Sequence, residues 1–317
     1  MKSKFNARFA IFLAAILLVI STLVSCSTAR ETVEVPTAPS PTEEILETRV
    51  KFQSGEQYLI VEFLDDDLVH FELSSFGTSS DTSNPIYTTP MVLKKNYAGP
   101  TSLERLGAGA FETPDLRIEV DEGSLCVTAT DIAREPDLVL SQFCPWHLEE
   151  EFKGMTFTPE NFTNAYGLGQ KFLTAGSPDG DWVGQARYPG EFGNVMEDFN
   201  NGKAGNTQFP ILYFAGDGTD SYALFVDNQY MQFWSLQYDP WKVVMYGEKI
   251  RFYVMTGPDL QDLRSDYMEL VGHPLVPPKK MFGMWVSEYG FDNWGELEDK
   301  LRTLRANRFP IDGFVLD

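Results

Sequence analysis

The sequence predicts a mainly β protein: an antiparallel β-sandwich followed by a strand–helix–strand unit, the truncated start of a parallel sheet or (β/α)8 barrel. Three observations predict it. From residue 46 on, apolar and polar residues alternate with period two in run after run, the pattern of half-buried strands. Before residue 278 the runs are short, broken by turn residues and nearly devoid of helical periodicity, as two packed antiparallel sheets require. Residues 278–317 then switch to strand, helix, strand with a short return, and two strands joined through a helix run parallel.

The 317 residues suffice for two domains, and 43% hydrophobic residues supply a real core. Aromatics reach 14%, which suits a strand core or an apolar ligand cleft. A formal net charge of −21 repels nucleic acid and anionic lipid, so nucleic-acid partners are excluded, while a neutral ligand is compatible. The 3 Cys and 3 His show no CxxC or HExxH spacing, so no metal is expected. His70, His147 and His273 are scattered and read as structural. There is no GxSxG, no P-loop and no dinucleotide fingerprint, and no cofactor is expected.

The chain opens with Lys2, Lys4 and Arg8, followed by a nearly all-apolar run over 9–24 and then Ser25-Cys26. This is a secretory signal, shorter than the roughly 20 residues of a spanning helix. Leu23-Val24-Ser25-Cys26 resembles a bacterial lipobox, in which the cysteine thiol accepts the lipid. Residues 1–26 are therefore expected to be a lipoprotein signal, with Cys26 anchoring an exported protein to the membrane of the bacterial cell envelope. Residues 27–45, rich in Pro, Ser, Thr and Glu, cannot bury a core and are expected to form a disordered linker.

Residues 46–277 are expected to be the sandwich. Strands are predicted over 58–64, 68–73, 116–120, 125–130, 138–143, 211–214, 222–227, 231–236, 242–246 and 250–255, with Asp65-Asp66-Asp67 as a tight turn. Cys126 and Cys144 are equidistant from Glu135, so a hairpin centred there sets them face to face. They are either a disulfide, in an oxidising compartment, or two buried free thiols. The Gly-rich stretch 176–209 holds Trp182, Tyr188, Phe192, Glu197, Asp198 and Phe199. Its aromatics look exposed, and it reads as a loop reaching into a binding cleft, with disorder as the other reading.

In residues 278–317, Pro277-Pro278 ends the sandwich and 281–287 is a buried strand. Asn293 caps a helix, Glu296 completes a capping box, and Leu297, Leu301 and Leu304 share one face. Acidic residues precede basic ones along it, as the helix dipole prefers. Residues 311–316 form the second strand. Two strands and a helix need a whole sheet or barrel to cover their apolar faces. A (β/α)8 barrel takes about 250 residues, and a chain stopping on Asp317 at the C-terminal end of such a strand looks cut.

Three stretches carry a family resemblance. Tyr166-Gly167-Leu168-Gly169-Gln170 looks like a YGLGE motif with Gln in place of Glu. Val271 to Pro278, continuing to Phe282-Gly283-Met284-Trp285, is similar to a TGxPxLPP lead-in to a barrel. Ser287-Glu288-Tyr289-Gly290-Phe291 with Phe309-Pro310-Ile311-Asp312 to Asp317 resembles the exit of a first barrel strand and the following IPxDxxxxD strand. Together they resemble glycoside hydrolase family 31, the α-glucosidase and α-xylosidase family.

The resemblance implies a mutarotase-like β-sandwich leading into a catalytic (β/α)8 barrel. It implies retaining hydrolysis of α-linked glucosides or xylosides of oligosaccharides by two Asp residues on later barrel strands, so that no catalytic residue is expected in this chain. It also implies that Asp317 bonds sugar hydroxyls, since a carboxylate accepts two directional, charge-assisted bonds. Tyr289 and Phe291 either wall the sugar pocket or simply pack. Glu288 stands where the family often has Arg, and Asp312 is expected to hold the strand start. Asp198 is a candidate substrate contact on the loop that borders the family's active site. Transglycosylation or lyase chemistry on the same fold stays open, as does a non-catalytic surface lipoprotein that binds glycans.

Overall fold

The period-two runs form two antiparallel sheets around one aromatic-rich core. The fold comes from a computed structural model that describes residues 42–46, 48–75, 86, 88–171, 180–187, 208–216, 220–288 and 290–316. Cys26 and the signal, most of the linker, Asp198, Tyr289 and Asp317 lie outside the described residues.

Strands β1 (Thr42–Leu46), β2 (Arg49–Ser54), β3 (Gln57–Phe63) and β4 (Leu68–Ser74) come first. Next are β5 (Glu104–Gly107), β6 (Ala110–Glu112), β7 (Leu116–Val120), β8 (Val127–Asp131), β9 (Leu138–Trp146) and β10 (Phe152–Pro159). Then follow β11 (Phe162–Gly167), β12 (Ala186–Arg187), β13 (Ile211–Gly216), β14 (Ser221–Val226), β15 (Gln232–Ser235), β16 (Trp241–Tyr246) and β17 (Ile250–Thr256). One sheet runs β1-β2-β3-β4-β17-β14-β13-β11; the other runs β12-β15-β16-β10-β9-β8-β7-β6-β5. Alternate residues such as Phe52, Val61, Phe63, Phe71 and Phe252 of the first sheet meet Phe143, Met155, Phe157, Trp234 and Val243 of the second. Phe143 lies 5.3 Å from Phe252, and Phe157 lies 6.2 Å from Phe214 edge-on. Each such ring, fully withdrawn from water, contributes on the order of 1.5–3 kcal/mol.

Four features differ from the sequence expectation. Thr42–Leu46, all but its last residue inside the stretch 27–45 read as linker, pairs antiparallel with β2 as an edge strand. Backbone pairing needs no apolar side chain, and charged residues are common on exposed sheet edges. The second difference is a helix, α1 (Leu260–Val271), where only strands were expected. The Asp259 carboxylate accepts the Gln261 and Asp262 amides at its N-terminus. Leu263 and Leu270 pack on Leu68, Phe225, Tyr253 and Met255, so the first sheet is buried on both faces in its centre. Third, the strand expected from 125 begins at Val127, because Leu125 sits at φ 58 and turns the chain. Fourth, a 3-10 turn, Lys279–Phe282, occupies the start of the strand expected over 281–287.

After that turn come β18 (Met284–Glu288), α2 (Trp294–Ala306) and β19 (Ile311–Leu316), and β18 and β19 pair in parallel. The Asn293 side chain accepts the Glu296 amide at 3.1 Å, while the Glu296 carboxylate reaches the Asp292 amide rather than that of Asn293. Met284 N donates to Asp312 Oδ2 at 3.1 Å, so Asp312 fastens the two strand starts together. Of the Leu face of α2, Leu297 is buried.

Cys126 and Cys144 are joined by a disulfide. The β8–β9 register pairs Val127 with Phe143, which places the two cysteines opposite each other one step outward. Among the described residues no helix is long and apolar enough to cross a membrane.

Candidate functional site

Two of the motif stretches meet at one end of the first sheet. β11 pairs with β13, Gly167 opposite Leu212, and the chain then reverses through three residues of positive φ: Gly167 (124°), Leu168 (58°) and Gly169 (85°). Gly167 is obligatory here, since a Cβ would stand 2.3 Å from the Ile211 carbonyl oxygen. Leu168 is fully buried and its amide donates to that same oxygen at 2.9 Å.

The freed carbonyls are taken up from residues 180–187. Trp182 Nε1 donates to Gly167 O at 2.9 Å, and Arg187 Nε donates to Leu168 O at 3.1 Å. Asp181 accepts the Ala165 and Val183 amides, and Lys171 Nζ lies 4.1 Å over the Trp182 ring. Trp182 and Arg187 are buried, at 2% and 0% exposure. This corrects the exposed-looking aromatic at 182: that part of the Gly-rich stretch is docked on β11, because the tight turn leaves two carbonyls that need donors. Burial in apolar surroundings pushes the Arg187 pKa down. Tyr188, Phe192, Glu197, Asp198 and Phe199 lie outside the described residues.

The second motif stretch arrives from α1. Leu270 O accepts the Leu93 and Lys94 amides, and the helix stops at Gly272, φ 83°, where Leu93 Cδ1 would lie 2.5 Å from any Cβ. The chain then leaves through exposed His273 and Pro274. Between the two stretches opens a cleft of about 880 Å³, walled by Gly169, Gln170, Phe209, Tyr267, Val271 and His273. Tyr213 packs with Tyr267 against the core cluster under α1. Burial, then the neighbouring Tyr267, pushes the Tyr213 phenol up to about 12, and burial also raises Tyr267. Both stay neutral at ordinary pH, and Tyr267, in the wall, is a hydroxyl donor suited to polyhydroxylated ligands. Phe209, 53% exposed, supplies an apolar face.

The strand–helix–strand unit carries the third motif stretch. β18 and β19 end in register, Glu288 opposite Leu316, and Asp317 follows directly in sequence. Phe291 packs edge-on against Phe314 at 5.7 Å. Gly313 makes room for the Trp285 ring, whose carbons come within 2.5 Å of the position a Cβ would take. His70, read as structural, is stacked on Tyr253 at 4.0 Å and bonded to Glu62 at 3.2 Å.

Sequence reasoning missed Arg187, Tyr213 and Tyr267. The last was within reach: Asp259 as a cap, then Leu260, Leu263, Tyr267, Leu270 and Val271 at helical spacing.

Known proteins place this architecture. No protein-family model matches the chain. An alpha-xylosidase of Saccharolobus solfataricus is 24% identical over 271 residues, 83% of this chain and 35% of that enzyme. An alpha-glucosidase of the same organism is 30% identical over 81 residues, 26% of this chain and 12% of that enzyme. The chain is related to glycoside hydrolase family 31. The match falls in the N-terminal part of those enzymes, and the chain spans about a third of the alpha-xylosidase's length. Among solved structures, a family 31 dextranase of Flavobacterium johnsoniae superposes with TM-score 0.61 at 16% identity, covering 86% of this chain and 33% of that one. A family 31 alpha-xylosidase from a soil metagenome gives 0.61 at 10% identity, over 85% and 40%. The β-sandwich thus has the fold of the N-terminal sandwich in these family 31 structures.

Proposed function

We propose that the chain is the sandwich and first barrel unit of a retaining α-glycosidase that acts on α-linked glucosides or xylosides of oligosaccharides. The observation that carries this is the parallel pairing of β18 with β19 through α2, directly after the sandwich. In this reading that pairing opens a (β/α)8 barrel, a fold whose chemistry sits at the C-terminal strand ends. The unit also carries exposed apolar side chains, Phe282 at 74% and Trp294 at 71%, which further strands and helices of a barrel would cover.

In this proposal Asp317 holds hydroxyls of the reacting sugar, and the nucleophile and the acid/base are carboxylates of later strands. Retention sets these about 5–5.5 Å apart. The chain by itself then binds but does not turn over substrate. We also infer export and lipid anchoring through Cys26. The runs at 1–26 support it, and two or more acyl chains hold a protein to a bilayer far more firmly than one.

The test is to express the complete open reading frame and assay aryl α-glucosides and α-xylosides, following product anomer by NMR. Release of the α-anomer by the complete protein, and none by residues 27–317, is expected. A reading frame that stops after the codon for Asp317 would remove the glycosidase and leave glycan binding. For the anchor, Cys26→Ser should move the protein from the membrane fraction to the soluble one.

A further inference from the structure

A second cleft lies at the same end of the sandwich as the motif cleft. The β13–β14 register pairs Ile211 with Phe225, and the β14–β17 register pairs Val226 with Phe252. The end of β11 and the start of β17 are therefore three strand spacings apart, roughly 15 Å. Where β14 crosses to β15, and β16 turns into β17, the chain leaves a hollow of about 660 Å³.

Its rim is aromatic. Tyr230 is 57% exposed and Tyr246 43%, and Phe152, at 39%, sits 5.1 Å from the Tyr246 ring. The backbones of the two tyrosines are tied together by one side chain: Asn228 Nδ2 donates to Tyr246 O at 3.0 Å, and Asn228 Oδ1 accepts the Tyr230 amide at 2.7 Å. Asn228 is itself gripped, its carbonyl accepting Gln232 Nε2 at 2.9 Å. Gly247, at φ 133°, brings the β16–β17 turn within 3.8 Å of the Tyr230 ring, measured from where its Cβ would be. A rim whose backbone is so fixed loses little main-chain freedom when it is covered.

Beneath the rings the lining alternates in charge. Lys153, Lys249 and Arg251 stand among Glu151, Asp227 and Glu248. Lys249 and Arg251 also share the buried Glu72 carboxylate, at 2.8 and 2.9 Å. In a chain whose net charge is −21, this near-balance of donors and acceptors selects against ions of either sign. It suits a neutral, polyhydroxylated molecule whose C–H faces lie on aromatic rings and whose hydroxyls both donate and accept.

We propose that this cleft is a second saccharide-binding site, with Tyr230 and Tyr246 as its stacking platform. It deepens the glycosidase reading, on which the choice of ligand class rests, by giving the sandwich a grip of its own on oligosaccharide.

Isothermal titration calorimetry of the full chain against maltotriose, isomaltotriose and a xyloglucan oligosaccharide tests it. Binding of at least one probe is expected. Tyr230→Ala and Tyr246→Ala should each weaken it about fivefold or more, since a ring contact is worth on that order. Tyr246→Phe, which keeps the ring, should bind as the parent does, and Phe209→Ala, in the motif cleft, should leave this affinity in place. Should Tyr246→Ala not fold, Tyr230→Ala on the connecting segment decides. No binding of any probe, or affinity indifferent to both tyrosines, overturns the proposal. Tyrosine-dependent binding by a complete protein that turns over no α-glycoside sinks the glycosidase reading and leaves this site standing.

Discussion

Replacing Gly167 with alanine probes the turn on which the motif cleft is built. At φ 124° the residue lies outside even the left-handed well that other L-residues enter, at a strain of about 1–3 kcal/mol. The new Cβ would lie 2.3 Å from Ile211 O, where ordinary contact begins near 3.4 Å. Relief requires β11 and β13 to part by about 1 Å, which stretches the 2.9 Å bond from Leu168 N to Ile211 O beyond hydrogen-bonding range and costs about 1–3 kcal/mol more. Gly167→Ala should therefore cost about 2–6 kcal/mol, a large share of the ~5–15 kcal/mol of a folded domain. Gly55→Ala is the control: φ is 62° there and nothing lies within 4 Å of its Cβ, so the expected loss is only about 1–2 kcal/mol. Urea unfolding followed by tryptophan fluorescence measures both, with the slope checked for a common transition. A Gly167→Ala loss within about 0.5 kcal/mol of the Gly55→Ala loss would refute the steric reasoning.

Three further outcomes are expected. Glu72 is fully buried and accepts from Tyr58, Lys249 and Arg251, so Glu72→Ala, which strips both cations of their shared carboxylate, should cost about 3 kcal/mol in chemical denaturation. Reducing the Cys126–Cys144 bridge, which closes a separation of 18 residues, or replacing both cysteines with serine, should lower unfolding free energy by about 3 kcal/mol. Stability should also fall as pH rises from 5 to 7.5. Burial, then Asp65, raises Asp67 to about 6, and burial, then Asp67, raises Asp266 to about 7. The folded state thus holds protons that the unfolded chain releases near pH 4, and loses that advantage as pH climbs through the folded values. Glu62, shifted below its usual range, acts only at lower pH. Asp266→Asn should flatten the dependence; a urea midpoint that rises over this window contradicts the sign.

Much of the architecture was legible because strands and capped helices write local patterns. Each of the ten runs of alternating residues overlaps a strand of the two sheets, with ends off by at most three residues, and the Asn293 cap and its helix stand where spacing put them. What was lost was lost for identifiable reasons. β1 is held by backbone bonds to β2, and backbone pairing leaves no mark in a Thr-Glu-Glu sequence. α1 shows an apolar spacing, but it lies among strand runs that set the expectation. Trp182 looked exposed because its neighbours are glycines and acids, yet its indole is spent on the Gly167 carbonyl 15 residues away.

The sequence alone determined the two sheets, the switch to a parallel unit after residue 278 and the family likeness, since periodicity, caps and glycine spacing are properties of neighbouring residues. Only the tertiary structure decided that 166–170 and 271–274 face one cleft, that Arg187 and Trp182 hold its turn, and that Tyr230 and Tyr246 share a rim. Those meetings depend on strand order and register, which join residues far apart in the chain through contacts that no local pattern encodes.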